Sequence, residues 1–183
     1  MKRIAILRGI NVGGKRKILM QDLREMFTKL GFTDISTYIQ SGNVVFSGIQ
    51  EKDERVLEQK IEKAIVETFQ FEVPVIVRSE EEWNDVVNGN PFLINTNTEI
   101  EKLYVSFLQK YPETTELEAI KKNDYSPEKY EIIGKNIFGY FPENYSKSKL
   151  SNQLFEKKLK VAATTRNWKT VLKLQELIGK IEI

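Results

Sequence analysis

The chain contains no cysteine and no histidine. Without cysteine there is no disulfide framework and no thiolate chemistry. Without histidine, a Ser-His-Asp triad, a Cys-His pair and a conventional zinc site are all excluded. Any catalysis must therefore run on Lys, Arg, Tyr, Ser, Thr and carboxylates. An Asp-x-Asp pair to hold magnesium is also missing, so neither a metal nor a cofactor is expected. Long apolar runs are absent too. The opening Met1–Leu7 begins with charge and offers only four apolar residues before Arg8, too few for a signal peptide, and no run approaches a membrane span. A cytoplasmic protein without membrane attachment is the expectation.

What is present is ordinary in amount and uneven in placement. The 183 residues, 40% hydrophobic and 30% charged, suit one large or two small domains with a true core. The net charge of +2 conceals a segregation. Residues 1–30 carry eight Lys/Arg against two Asp/Glu, residues 145–183 nine against three, and the middle eleven against twenty-one. Two basic ends flank an acidic middle. Such a pattern either reflects helix faces of varying sign or brings the two basic ends together around an anion.

Along the chain, Ile4–Leu7 forms a short apolar strand, followed by a loop over Gly9–Gly14. Leu19, Leu23, Met26, Phe27 and Leu30 recur at helical spacing, and Gly31 ends that helix. Asp34–Gln40 and Asn43–Ser47 read as a hairpin across a two-residue Ser41-Gly42 turn. A long helix over 51–70 precedes a strand over Val73–Val77, whose Pro74 places it at a sheet edge. The order βαββαβ is the ferredoxin-like arrangement. Ser79 then opens a helix, with Glu82 completing a capping box. Residues 88–98, rich in Asn with Gly89 and Pro91, make a linker, so the domains read as 1–90 and 91–183. The second part reads as βαββα: a strand at Leu103–Leu108, a helix at Pro112–Lys122, and a hairpin at Tyr130–Ile133 and Asn136–Phe141 across Gly134-Lys135. Two helices follow, near Leu150–Lys158 and Arg166–Ile178. An α+β fold with a duplicated half is expected.

Gly9-Ile-Asn-Val-Gly-Gly14-Lys15 matches the first part of a phosphate-binding P-loop and follows a strand, as it must. The match then fails, because Arg16 stands where a Ser or Thr would hold magnesium. A weaker function survives. Arg8, Asn11, Gly13, Gly14 and Lys15 describe a basic, sharply turning loop that can hold phosphate or carboxylate without hydrolysing anything. The alternative is that the glycines merely route a tight strand-to-helix connection. Near the other end, Lys149, Arg166 and Asn167 form a second basic group. Here Thr165 reads as the N-cap of the last helix, and Trp168, Val171 and Leu172 read as its core stripe.

Leu7-Arg-Gly-Ile-Asn-Val-Gly-Gly14, Tyr38-Ile-Gln-Ser-Gly-Asn-Val-Val-Phe46 and Thr165-Arg-Asn-Trp168 together resemble an uncharacterised bacterial family that carries a domain of unknown function. The resemblance implies a two-part α+β fold in a bacterial cytoplasm and supplies no catalytic residue. Where such proteins read Thr-Arg-Asn-Trp-Asn-Thr, this chain has Lys169.

The expected function is a site for a phosphorylated or carboxylate small molecule, shared by the Arg8–Lys17 loop and the Arg166 helix start. Whether it is an enzyme is open, and a base would come from Lys149 or from a Tyr of lowered pKa. Nucleic-acid binding is a rival, since RNA recognition motifs share the βαββαβ order. The first strand has no aromatic for stacking, however, and the third offers only Phe46. A protein-interaction module is the third reading. Oligomeric state is not legible.

Overall fold

The computed structural model describes residues 1–48, 50–94, 98–143 and 145–181. They fall into two units, Met1–Asp85 with Lys173–Ile183, and Val86–Leu172. Residues after 172 thus group with the first unit rather than with the 91–183 stretch read from sequence. Residues 95–97 of the expected linker lie outside the described residues.

The first unit runs β1 (Arg3–Leu7), α1 (Met20–Lys29), β2 (Thr33–Tyr38), β3 (Asn43–Ser47), α2 (Glu54–Phe69) and β4 (Val75–Ser79). Its sheet is antiparallel throughout, in the order β2-β3-β1-β4. The apolar stripes of both helices lie on one face. Leu23, Met26 and Phe27 of α1 join Leu57, Ile61 and Ile65 of α2 over Ala5, Leu7, Val44, Phe46, Val75 and Val77. On the opposite face Ile4, Ile6, Val45 and Ile76 are fully buried as well. Two boundaries shift from expectation. β4 starts two residues later, beyond Pro74, and the β2–β3 turn takes four residues, Ile39–Gly42. The turn is wider because Ile39 adopts a left-handed φ of 49° and buried Asn43 reaches back, its amide donating to Tyr38 O and Ser41 Oγ at 3.0 Å each.

The Ser79 capping box forms as expected and opens α3 (Glu80–Asn88). Glu82 N–H donates to Ser79 Oγ at 3.1 Å, and Ser79 N–H donates back to the Glu82 carboxylate at 3.0 Å.

The second unit runs β5 (Leu103–Leu108), α4 (Thr114–Lys121), β6 (Lys129–Ile133), β7 (Asn136–Tyr140), α5 (Asn152–Leu159) and β8 (Ala163–Asn167); α6 (Trp168–Gly179) follows, and its residues after Leu172 group with the first unit. Its sheet order, β6-β7-β5-β8, repeats the first. The βαββα reading is corrected here, because Ala163–Asn167 is a fourth strand paired with β5. Being short and polar, Ala-Thr-Thr-Arg-Asn carries no hydrophobic strand signal. The cap moves with it. Asn167, not Thr165, accepts from Thr170 N–H at 2.8 Å, while Leu172 faces outward.

Duplication is visible bond by bond. Leu7 N–H donates to Gly42 O and Leu108 N–H to Lys135 O, both at 2.8 Å. Arg8 N–H donates to Pro74 O and Gln109 N–H to Ala162 O, both at 3.0 Å. On the edge strands, Val75 N–H donates to Glu62 and Ala163 N–H to Glu156, each at 3.1 Å. Even two arginines match, Arg78 donating to Val77 O at 2.8 Å and Arg166 to Thr165 O at 2.9 Å. Matched bonds at matched strand positions reflect one βαββαβ plan used twice, although the residues themselves have diverged.

Candidate functional site

The conserved plan isolates what the first unit has added. Between β5 and α4 the chain needs only 109–113, but between β1 and α1 it uses 8–19. The additional length is a small hairpin. Val12 and Lys15 pair across Gly13-Gly14, Lys15 N–H donates to Val12 O, and Asn11 N–H donates to Arg16 O, both at 3.1 Å. Gly13 and Gly14 have φ of 58° and 74°, the conformation a two-residue hairpin turn requires. Asn11 and Arg16 are also left-handed, at 57° and 49°. For a non-glycine residue such backbone costs about 1–2 kcal/mol, somewhat less for Asn.

Asn11 holds the hairpin in place. Its amide donates to Ile18 O at 2.9 Å and Gln40 O at 2.8 Å, and its Oδ1 accepts from Ile18 N–H at 2.9 Å. Beneath it, Gly42 sits so close that a Cβ would lie 2.6 Å from Leu7 Cβ and 2.9 Å from Ile10 Cδ1. The two motifs noted in sequence, Leu7–Gly14 and Tyr38–Phe46, are therefore one structural assembly. Leu7 and Ile10 pack on Gly42, and Asn11 ties the hairpin to the β2–β3 turn.

This assembly displays charge. Lys15, Arg16 and Lys17 are exposed and Arg8 is half-buried. The Arg16 guanidinium folds back to 3.6 Å from the position a Gly9 Cβ would take. The same loop delivers the chain into α1, whose N-cap, Leu19, makes no side-chain cap bond. The first N–H groups of that helix thus have no capping side chain, and a helix N-terminus favours anions. Asp22 in the first turn supplies the only acidic group there. The hairpin is no P-loop cradle, because two of its N–H groups are spent on its own backbone.

The second basic group lies in the second unit. Lys149 is exposed and Arg166 is half-buried. Burial pulls the Arg166 guanidinium down to about 10, with Tyr145 opposing the shift, and it remains charged at neutral pH. Around it runs a hydroxyl network that sequence reasoning missed. Ser106 and Thr165 hydroxyls lie 2.6 Å apart, Thr165 donates to Asn152 Oδ1 at 2.6 Å, and Tyr145 also bonds Thr165. No sequence signal joins residues 106, 145, 152 and 165. In the Thr165-Arg-Asn-Trp168 motif, Thr165 is thus the network's hub, Asn167 caps α6 and Trp168 is buried.

Two catalytic and binding readings lose ground. Burial is the largest influence on Tyr130 and Tyr145 and raises both, the wrong direction for a catalytic base. Phe46 is fully buried, its ring 5.3 Å from Phe27 and 4.6 Å from Phe32, so it is not a stacking platform. Among the described residues no three Asp or Glu gather as a metal set, and no helix is long and apolar enough to cross a membrane.

Residues 1–138 match a family described as protein of unknown function, DUF1697. No curated protein matches the chain. Among solved structures, conserved bacterial protein SP0830 from Streptococcus pneumoniae is similar at 25% identity and a TM-score of 0.74, over 97% of this chain and 98% of that one.

Proposed function

We propose that this chain, which belongs to the DUF1697 family of proteins of unknown function, binds a small phosphate- or carboxylate-bearing molecule at the Arg8–Lys17 hairpin and the start of α1. One observation carries the reading. A βαββαβ unit closes with five residues at 109–113, yet at the same place the first unit keeps a left-handed, glycine-tipped hairpin bearing three exposed cations. Strained backbone persists where surrounding structure enforces it, commonly at ligand sites. Arg supplies forked donors and Lys a mobile charge, together suited to an oxyanion. The setting proposed is the cytoplasm, in keeping with a chain free of cysteine. The unit itself reads as ferredoxin-like, an analogy that by itself assigns no function.

Titration with pyrophosphate, inorganic phosphate and citrate, followed by amide NMR, tests this. Saturable shifts are expected at Gly13, Gly14, Lys15 and Met20, with none in a matched chloride titration. Shifts confined to Arg166 and Asn167, or spread evenly over all lysines, would contradict it.

A further inference from the structure

A second feature, independent of the hairpin, lies along the edge of the second sheet. Each sheet has two edge strands, and an exposed edge is a template for another strand. On three of the four edges the outward backbone groups are displaced by a bulge or already bonded in part. β2 is bulged between Thr33 and Ser36. The Glu58 and Glu62 carboxylates accept the outward N–H groups of Val77 and Val75 on β4, and Glu156 accepts that of Ala163 on β8. Unlike β2, its counterpart in the first unit, β6 pairs with β7 without a register break from Lys129 to Ile133.

The two-residue Gly134-Lys135 turn fixes which groups β6 presents. Residues flanking such a turn exchange both hydrogen bonds, so Ile133, Glu131 and Lys129 bond inward to β7. The N–H and C=O groups of Tyr130 and Ile132 then point outward, and no described residue bonds them. Beside them lies a cavity of about 580 Å³, lined by Tyr130, Glu131 and Ile132 of β6 together with Lys121, Tyr125 and Phe92. That volume lies within the range of ligand pockets, roughly 300–1,000 Å³. Tyr125 meets Tyr130 edge-on at 5.8 Å, giving the cavity an aromatic floor, while exposed Lys129 and Glu131 alternate with Tyr130 and Ile132.

We propose that this cavity takes an extended peptide segment of a partner protein, added to β6 as a fifth strand. Main-chain bonds to Tyr130 and Ile132 would hold the segment. Opposite charges two residues apart, facing Glu131 and Lys129, would set its register. A cavity of that volume takes a short extended segment rather than a folded domain.

The probe is an acetylated hexapeptide, Thr-Val-Thr-Lys-Val-Glu, compared with Thr-Val-Pro-Lys-Pro-Glu, which lacks the two N–H groups that would face β6. Hydrogen exchange on the full chain is read residue by residue. In the isolated protein Tyr130 and Ile132 should exchange freely while Glu131 is protected. The first peptide should slow Tyr130 and Ile132 at least ~10-fold, as hydrogen-bonded strand amides are slowed, and the second should not. Glu131→Lys, an exposed change, should weaken the first peptide several-fold and leave the fold intact. Equal protection by both peptides, or none by either, overturns the proposal. So does protection that rises with protein concentration alone, which would assign the edge to a second copy.

Discussion

Gly42→Ala should destabilise the protein by about 2–5 kcal/mol. Two separate effects add. Gly42 has φ of +80°, where a non-glycine residue costs about 1–2 kcal/mol. Its new Cβ would also meet Leu7 Cβ at 2.6 Å and Ile10 at 2.9 Å, and overpacking of that kind typically costs about 1–3 kcal/mol. Leu7 Cβ is anchored in a central strand and cannot swing away. Gly13→Ala is the control, since φ is similarly positive but no atom lies within 4 Å of the added carbon. It should lose only the backbone part. Urea unfolding of both variants separates the two effects, and equal losses would show that the contact of Gly42 with Leu7 is not what demands glycine.

Phe46→Ala should cost about 3–5 kcal/mol, the range for emptying an aromatic site in a core. The ring lies fully buried among Phe27 and Phe32, on the helix side of the first sheet. A base-stacking residue would stand in solvent, and its removal would leave stability nearly unchanged. Denaturant unfolding therefore decides between a core ring and a nucleic-acid platform, and a loss below about 1 kcal/mol would revive the rival reading.

The sequence made the first unit legible because each of its elements carries its own local signal. α1 has a helical stripe closed by Gly31, Ser79 and Glu82 announce a helix start, and β3 is a run of Val and Phe. β8 stayed hidden because its burial comes from pairing with β5, whereas Thr165 and Asn167 look like turn and cap residues in isolation. Once β8 is in place the repeat becomes complete. The Gly-rich loop was recognisable as special, but its form was not. Glycines, Asn and basic residues suit both an N–H cradle and a hairpin, and only the bonds from Asn11 N–H and Lys15 N–H distinguish them. From sequence Asn11 reads as a binding residue, yet the structure engages both its amide and its Oδ1 in holding the loop. The Ser106–Thr165–Asn152 network depends on contacts 13 to 59 residues apart, and no local pattern encodes it.

The central claim is that the hairpin's cations serve a ligand rather than the fold. Thermal unfolding in pyrophosphate tests it most directly, comparing the natural chain with one carrying Lys15→Ser, Arg16→Ser and Lys17→Ser. Exposed cations contribute little to folding, so the apo melting temperatures should nearly coincide. The natural chain should gain stability with ligand, reaching about 2.7 kcal/mol at a concentration 100 times the dissociation constant, and should gain less at high salt. The triple variant should gain nothing. An equal gain in both proteins, or an apo loss in the variant comparable to that of Phe46→Ala, would contradict the account.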